Sequence, residues 1–452
     1  MKRTLIQMAV AGVLTAMAVP AVAQNASLDQ IQRELAEIRA KNERLEAEVE
    51  YLKENTKAQR KDAAKEVMDV EALKTSTSKF TWSGDFRYRN EQIESQPNSI
   101  TPEHTQGRDR IRLRLGVSAK INDTITGRFQ IATAGGATAD PRSTNQTLGE
   151  DWSRKSIGID QAYVDWKALS SLNILLGKMP QPWTRTAGYL WDGDLTAEGA
   201  ALKFAKGPLF VNAFYDWLNE RHGTGVSSPR SDTKLVGAQV GFKPVFGTST
   251  LTVAAGYFDL TNVEGEQVSA NAAAPCTVYN GTFFGNSTNG NSTYAAGGCT
   301  YLLSDFSIVN ALAQFDFTAG SFPMSLFVDF QKNLDAKTNL VANETLDTAF
   351  AAGVTFNRAS APMSWEVGVI YQKAEADSVF GQFHDSDFGG GRTDTSGFVV
   401  RLGFVPAASW ILNATLFINE QNNDTGAVTP ATGASTIDLD YKRLQLDLNY
   451  RF

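Results

Sequence analysis

The chain ends in the nine residues Leu444-Gln445-Leu446-Asp447-Leu448-Asn449-Tyr450-Arg451-Phe452. Because the side chains of a β-strand point alternately to its two faces, one face of this segment is apolar and the other is polar. A strand with lipid on one side and water on the other requires this division. The pattern predicts the closing strand of an outer-membrane β-barrel, in which Leu448, Tyr450 and Phe452 act as the membrane-insertion signal. For this segment alone, an amphipathic strand of a soluble β-sandwich is the alternative.

The amino terminus has the features of a secretory signal peptide. Two basic residues, Lys2 and Arg3, precede an apolar run that leads to the small-residue sequence Ala21-Val22-Ala23. The run is too short and wrongly flanked for a membrane-spanning helix. We therefore predict a signal peptide over residues 1–23.

Charge and hydropathy exclude several classes of protein. The chain has 42 Lys and Arg residues against 49 Asp and Glu residues, and this acidic balance argues against nucleic acid as a partner. After the signal peptide, no segment approaches the run of about 20 apolar residues that a spanning helix needs. A closed barrel is the other structure that satisfies every backbone polar group within a membrane.

Residues 24–55 have the heptad pattern of a coiled coil. The residues at positions a and d of four heptads are Leu28, Ile31, Leu35, Ile38, Asn42, Leu45, Val49 and Leu52. Leu at a with Ile at d in the first two heptads favours trimers or tetramers, and Asn42 sets the register. A lone amphipathic helix on the barrel or on the membrane surface is the alternative. Residues 56–79 are polar and predict a stalk or linker.

Residues 80–452 contain about sixteen segments in which apolar and polar residues alternate. The connections after even-numbered segments are tight, as at Asn122-Asp123, whereas those after odd-numbered segments are long. Short periplasmic turns and long external loops produce this alternation, so the first strand starts in the periplasm and the coiled coil lies there. The predicted fold is an all-β transmembrane antiparallel β-barrel of about sixteen strands in outer-membrane lipid, preceded by an N-terminal α-helical coiled coil.

Seven arginines are predicted to line the pore, because they alternate with the apolar residues of the first three strands. They are Arg87, Arg89, Arg108, Arg110, Arg112, Arg114 and Arg128. Guanidinium groups stay charged and are weakly hydrated, so a basic wall of this kind attracts anions. The alternative is a solvated charged face that inward acids such as Asp85 and Glu91 neutralise locally.

The only two cysteines, Cys276 and Cys299, fall in the longest predicted loop. In an exported protein, an even pair in one hydrophilic loop predicts a disulfide, which limits the freedom of the unfolded loop. A metal site needs more ligands, and no histidine lies nearby in the sequence.

The three histidines do not suggest a catalytic site. His104, His222 and His384 all map to predicted external loops, so no Ser-His-Asp triad can be assembled on the barrel wall. The sequence also has no Gly-rich phosphate loop and no Cys/His cluster. We therefore predict neither enzyme activity nor a cofactor or bound metal.

The chain resembles the putative porins of Gram-negative bacteria, which join a signal peptide and a short coiled coil to a barrel, and its barrel resembles the sixteen-stranded general porins. The resemblance covers nearly the whole mature chain. It rests on the heptads, the loop after the fifth strand, the aromatic terminus and the first-strand segment Phe80-Thr81-Trp82-Ser83-Gly84-Asp85-Phe86-Arg87-Tyr88-Arg89. It implies an outer-membrane porin that assembles as a homotrimer and through which small hydrophilic solutes and ions diffuse passively.

The same resemblance implies that the loop at residues 180–194 folds into the barrel and narrows it. Its constriction residues are then Arg185, Asp192, Asp194 and, just beyond it, Glu198. The acids would face the arginine wall, and the tryptophans and the tyrosine of the loop would pack on the inner wall. The alternative is an ordinary external loop with a rim of interfacial aromatic residues.

Two functions from different classes remain open. The first is a channel, with weak anion preference from the arginine wall or near-neutral selectivity if the loop acids face that wall. The second is a structural tether, in which the barrel is an anchor and the coiled coil binds a periplasmic or cell-wall partner.

Overall fold

The computed structural model describes residues 24–95, 104–134, 140–220, 232–270, 288–296, 299–422 and 439–452. The predicted signal peptide lies outside these residues. The chain divides into two compact units, of which the first ends at Ser78 and the second begins at Lys79. In the described part of the chain, no helix is both long and apolar enough to cross a membrane.

The first unit is a single helix, α1, over Gln24–Thr77. Its sequence contains neither proline nor glycine and is rich in Ala, Leu, Glu, Lys and Arg, the strongest helix formers. The helix does not end at residue 55 but continues through residues 56–77, so the boundary between coiled coil and linker is not a break in secondary structure. The apolar heptad residues are about half exposed, as Leu28 and Leu52 illustrate at 55% each.

The second unit is a barrel of sixteen long strands. They are β1 Phe80–Ser95, β2 His104–Lys120, β3 Ile125–Thr133, β4 Ile157–Leu169, β5 Leu172–Pro180, β6 Thr196–Lys206, β7 Leu209–Asn219, β8 Thr233–Phe242, β9 Ser249–Thr261, β10 Phe306–Ala319, β11 Phe322–Asn333, β12 Thr348–Asn357, β13 Trp365–Ala374, β14 Thr395–Phe404, β15 Trp410–Gln421 and β16 Leu439–Arg451. Two-residue strands at Gln146–Thr147 and Val245–Phe246 join the same sheet. Three short strands, Gln267–Ala270, Thr293–Ala296 and Cys299–Leu302, form a separate sheet in the longest loop.

The barrel closes by antiparallel pairing of its first and last strands. The register of β1 with β16 runs from Asp85 opposite Arg451 to Ser95 opposite Tyr441. Closure pairs both edges of the barrel sheet among the described strands, as a structure surrounded by lipid requires. The predicted fold, a closed antiparallel barrel of about sixteen strands after an N-terminal helix, is therefore confirmed.

The connections alternate between tight turns and long loops, as predicted, although the first long connection spans only residues 96–103. Gly207 and Gly320 occupy tight turns with φ of 58° and 63°, a left-handed backbone that glycine adopts without steric cost. Three of the long connections place residues in the lumen. Numbered in the order of the long connections along the chain, they are L2 (134–156), L3 (181–195) and L7 (375–394).

The two faces of the strands differ as lipid and lumen require. On β11, outward Val328 is 55% exposed, whereas inward Gln331 is completely buried. The terminal residue Phe452 lies on the outer face, and its backbone pairs with Gly84 in both directions at 2.9 and 3.1 Å. A Cβ atom at position 84 would lie 2.4 Å from the Phe452 ring, so the glycine leaves the space that this aromatic terminus occupies.

Candidate channel constriction

Charged residues on three neighbouring strands form a ladder on the inner wall. Between β1 and β2, Glu91 faces Arg108, Arg89 faces Arg110, Arg87 faces Arg112 and Asp85 faces Arg114. On the other side of β1, Asp447 of β16 faces Arg89. Every second side chain of a strand points to the same face, so this register gathers the charges in one place. We call these six arginines, together with Arg443 of β16, the arginine ladder.

The ladder contains its own acidic partners. Arg89 binds Asp447 with two parallel hydrogen bonds, Nε to Oδ1 at 2.6 Å and Nη2 to Oδ2 at 2.8 Å. Asp85 accepts hydrogen bonds from both Arg112 and Arg114, each at 2.7 Å. Bidentate and charge-assisted bonds of this kind hold the guanidinium groups in a defined orientation.

Glu91 has more arginine partners than any other acid of the ladder, and its side chain is completely buried. It accepts a 2.6 Å hydrogen bond from Arg443 and a second, short one from Arg108. Arg89 and Arg110 lie 3.5 and 3.7 Å from the same carboxylate. Four arginines therefore share this acid, and Asp387 and Asp447 add negative charge beside Arg89 and Arg443, which reduces the repulsion between the guanidinium groups.

Arg128 does not join the ladder. It pairs with Ser118 of β2 and donates a 2.9 Å hydrogen bond to that hydroxyl. Ser118 is four residues beyond Arg114 along β2, about 13 Å at the rise of a strand. Arg128 faces the lumen, where it lines a cavity, but it lies towards the short-turn end of the barrel. The predicted single wall is corrected accordingly: it does not include Arg128, and it includes Arg443, which was not among the seven.

L3 lies inside the barrel and crosses its lumen. The backbone N–H groups of Thr184 and Tyr189 donate to Gln239 of β8 and Gln372 of β13, both at 2.8 Å, and the Trp191 indole donates to Gln331 of β11 at 3.1 Å. The aromatic residues of L3 pack on inward phenylalanines: Trp183 lies on Phe214 and Phe258, and Tyr189 on Phe417. These aromatic residues therefore do not form an external rim.

The acids of L3 take different positions. Asp194 reaches the ladder, 3.4 Å from Arg114 and 3.9 Å from Arg112. Asp192 does not face the ladder, because its carboxylate accepts hydrogen bonds from the backbone of Asp194 and of Ser386 in L7, at 2.7 and 2.8 Å. Burial raises the pKa of Asp192 well above its usual value, and the neighbouring carboxylates of Asp385 and Asp194 raise it further.

Glu198 lies on the outer face of the barrel, where it pairs with Lys178 at 2.7 Å. It shares that face of β6 with Leu202, which is 46% exposed, whereas Ala201 on the inner face is buried. The prediction that Glu198 belongs to the constriction is therefore wrong. Arg185, the fourth residue of the predicted set, donates to the Trp191 carbonyl at 3.0 Å and also lines a cavity on the short-turn side of L3.

L7 also fills part of the lumen, and sequence analysis did not single it out. Phe383 of L7 stacks on Trp191, and Phe388 stacks on Tyr189. Asp387 of L7 binds Arg89 at 3.1 Å and Arg443 at 2.8 Å. A usable signal was present in the sequence, since four large apolar residues, Val379, Phe380, Phe383 and Phe388, are unusual in a solvent-exposed loop.

Arg142 of L2 joins the two loops and was also missed. It is bound to Asp140, and its Nη1 donates to three carbonyl oxygens of L7, those of Gly381, His384 and Gly391, at 3.1, 3.3 and 2.7 Å. A guanidinium has enough donors in a fixed plane to bind several carbonyls at once. L7 is thus held by two sets of contacts, those with Arg142 of L2 and those with the ladder.

The titratable groups of L7 are shifted in opposite directions. Burial lowers the pKa of His384 to about 3 and raises the pKa of Asp385 to about 7. Burial also opposes the ionisation of Asp387, but the guanidinium groups of Arg443 and Arg89 outweigh it and lower the pKa of that carboxyl. Neutral His384 contacts Gln372, with 3.1 Å between their Nε2 atoms, and its ring packs on Phe388 of the same loop.

The other predicted site residues are placed as follows. His104 begins β2 and does not lie in a loop, while His222 and Cys276 lie outside the described residues. Cys299 is buried, 4% exposed, at the start of a short strand, and the disulfide stays a prediction. Among the described residues, no group of three or more His, Cys, Asp or Glu side chains is arranged to hold a metal ion.

Comparison with known proteins supplies a family and a fold. The profile of a family described as Putative porin matches residues 38–452, and no curated protein matches the chain. The structure of OprB from Pseudomonas putida at high pH is 14% identical, with a TM-score of 0.50, over 85% of this chain and 97% of that one. OmpF of Salmonella typhi in complex with daunomycin is 12% identical, with a TM-score of 0.46, over 82% of this chain and 97% of that one. At these identities the likeness to OprB is one of fold alone.

Proposed function

Because the chain belongs to the putative porin family, whose profile matches residues 38–452, we propose that it is a passive diffusion channel of the outer membrane for small hydrophilic solutes and ions. Family and barrel fold support an outer-membrane channel. One observation carries the finer proposal: L3 and L7 both reach the arginine ladder, through Asp194 and Asp387. In this proposal, L3 and L7 narrow the route through the barrel to a gap that charged side chains line.

The charges at this gap support a weak anion preference. Several of their side chains remain accessible, with 26% of Arg108 and Arg114 and 20% of Asp194 and Asp387 exposed. The seven ladder arginines meet five carboxylates, those of Asp85, Glu91, Asp194, Asp387 and Asp447. The small positive excess acts over a short distance, since salt screens charges within about 8 to 10 Å.

The helix supports assembly as a homotrimer. The a and d residues of α1 are about half exposed in a single chain, and a stripe of this period buries itself against copies of the same helix. Leu28 and Leu35 at a, with Ile31 and Ile38 at d, favour three or four strands over two. In this proposal, the signal peptide directs export, α1 lies in the periplasm, and Cys276 and Cys299 form a disulfide in the oxidising environment outside.

Single-channel recording of the purified protein in planar lipid bilayers tests the channel. We expect stepwise conductance and a reversal potential on the anion side of neutral in a salt gradient. Arg114→Gln should move this potential towards cations, because Asp85 and Asp194 then lose a positive partner. Arg358→Gln, on an exposed tight turn, is the matched control and should leave the potential unchanged. Protein that folds into a barrel but gives no steps contradicts the proposal.

The tether is a second candidate, and the length of α1 favours it. An uninterrupted helix of 54 residues is about 80 Å long at 1.5 Å per residue, long enough to reach a partner far from the membrane. Deletion of residues 26–79 separates the two functions. A channel keeps its conductance after the deletion, whereas a tether loses attachment of the outer membrane to the layer beneath it.

A further inference from the structure

A second group of charges lies in the lumen, on the other side of L3 from the ladder. It lines a cavity of about 680 Å³ between the start of L3 and the inner wall of β3 to β10. Residues of the β4–β5 turn and Lys243, just after β8, line it, so it opens towards the end of the barrel with the tight turns. We call this cavity the vestibule; its charged residues are Arg128, Asp165, Arg185, Lys203, Lys243 and Asp316.

Among the residues that the structure describes, no carboxylate lies within ion-pair distance of the four cations of the vestibule. Arg128 donates to the Ser118 hydroxyl at 2.9 Å, and Arg185 to the Trp191 carbonyl at 3.0 Å. Within the described part of the chain, the ammonium groups of Lys203 and Lys243 form neither an ion pair nor a hydrogen bond. The ladder differs in this respect, because carboxylates lie within ion-pair distance of its arginines.

The two carboxylates of the vestibule are bound to amides. Asp165 accepts a 2.6 Å hydrogen bond from the Asn173 amide. Asp316 accepts from the Gln314 amide at both oxygens, each at 3.0 Å. Four cations against two carboxylates leave a positive excess of two, inside a concave wall that concentrates the electrostatic field.

We propose that the vestibule is a binding site for solutes that carry a phosphate group. A phosphate group has a charge of about −1.5 to −2 near neutral pH and three acceptor oxygens, so it matches the excess charge and can accept hydrogen bonds from more than one cation. Lysine ammonium groups and planar guanidinium groups form charge-assisted hydrogen bonds to such oxygens. A monocarboxylate matches the charge less well, and chloride cannot bridge several donors.

This inference rests on the proposed function only in that the channel supplies the solute. Its location predicts a two-step passage: the solute passes the ladder, whose arginines are paired with carboxylates, and is held next at Lys203 and Lys243. The two lysines are both exposed to the vestibule, so their substitution removes charge without leaving a buried group unpaired.

The test measures binding of inorganic phosphate to the full-length protein in detergent by broadening of its ³¹P resonance, at low salt and pH 8. Unmodified protein should broaden the resonance, and K203Q/K243Q should weaken binding by about tenfold or more, since two charge-assisted bonds are lost. Lys206→Gln is the matched control, because Lys206 ends the same strand and does not line the vestibule. Acetate should displace phosphate only at a concentration at least about tenfold higher, as expected for a monovalent anion with fewer acceptors.

Equal phosphate binding by K203Q/K243Q and the unmodified protein would overturn the inference. Equal loss in Lys206→Gln would overturn it too, because binding would then be a general surface effect. Displacement by acetate at the same concentration as phosphate would refute the assigned ligand class. The measurement does not depend on conduction, so a barrel that binds phosphate but gives no current steps contradicts the channel and leaves the site intact.

Discussion

The carboxylate of Asp387 lies 2.8 Å from the guanidinium of Arg443, so an ion pair joins L7 to the last strand of the barrel. Arg443 also binds Glu91 at 2.6 Å, and Glu91 belongs to the first strand. The seam at which the barrel closes is thus the place to which L7 is attached. The position of L7 in the lumen and the closure of the sheet depend on the same charges.

Asp387→Asn should loosen L7 and enlarge the channel. The substitution leaves Arg89 and Arg443 with Asp447 and Glu91 as partners, and the loss of hydrogen bonds to a charged group costs about 1.5 to 3 kcal/mol. We expect higher single-channel conductance with more frequent transitions between levels. The control is Asp335→Asn, at an exposed acid outside the ladder, which should behave like the unmodified protein. An unchanged conductance for Asp387→Asn would mean that L7 is held mainly by its apolar packing.

Arg142→Lys should also loosen L7, by weakening its contacts with L2. A lysine keeps the charge but cannot donate in one plane to the carbonyls of Gly381, His384 and Gly391. We expect faster hydrogen exchange of the backbone amides of L7 and faster cleavage of L7 by protease, while the barrel strands stay protected. Arg358→Lys provides the matched comparison. If L7 is equally protected in Arg142→Lys, the three carbonyl contacts are not required for its docking.

The pKa of Asp385 predicts how stability depends on pH. Because burial raises this pKa from 3.8 to about 7, the folded protein favours the neutral acid, and the resulting stability is complete below pH 3.8 and lost as pH rises to about 7. A shift of this size corresponds to at most about 4 kcal/mol. Asp385→Asn should abolish this part of the pH dependence, because an amide stays neutral and its oxygen can still accept the bonds from Asp387 and Phe388.

The measurement is the temperature of barrel unfolding in detergent between pH 4 and pH 8, for the unmodified protein and Asp385→Asn. The contribution of Asp385 is the difference between the two curves of unfolding temperature against pH. Neither curve alone gives it, because the pKa of Asp387 is shifted in the opposite direction. Its lowered pKa contributes stability above pH 3.8 that is lost as the pH falls. Parallel curves over this range would show that Asp385 titrates near its ordinary value.

Two buried aspartates should respond oppositely to replacement by asparagine. Asp216 of β7 is 1% exposed, and neither of its carboxylate oxygens has a hydrogen-bond partner among the described residues, so Asp216→Asn should stabilise the barrel by about 1 to 3 kcal/mol. Asp329 is 6% exposed and accepts bonds from Thr186 and Asn310 at 3.0 and 2.8 Å, so Asp329→Asn should destabilise it. Urea unfolding in detergent measures both, and destabilisation by Asp216→Asn would reveal a partner for that carboxylate.

Much of the barrel could be predicted from local patterns, because lipid and water select side chains residue by residue. The alternation of β16, for example, identifies both its faces without knowledge of any other strand. The alternation of apolar and polar residues did not assign the face of Glu198. The inward residues near it, Gly199 and Ala201, are small and only weakly apolar. There the sequence contrast between the two faces was too low to assign them.

The contents of the lumen could be predicted only in part, because they depend on contacts between residues far apart in the sequence. Asp387 meets Arg89, 298 positions earlier, and no local pattern relates these two residues. L3 was placed in the barrel by resemblance to other porins, whereas L7 had no such guide.

The sequence by itself determined the alternating strands, their number to about sixteen, the closed barrel and the alternation of tight and long connections, since each follows from periodicity and from the needs of a backbone in lipid. Only the tertiary structure decided which acids neutralise the arginines and which cations remain free. That outcome depends on register and on the folding of L3 and L7 into the lumen. Charges act through space over a few ångströms, and the order of residues along the chain does not specify those distances.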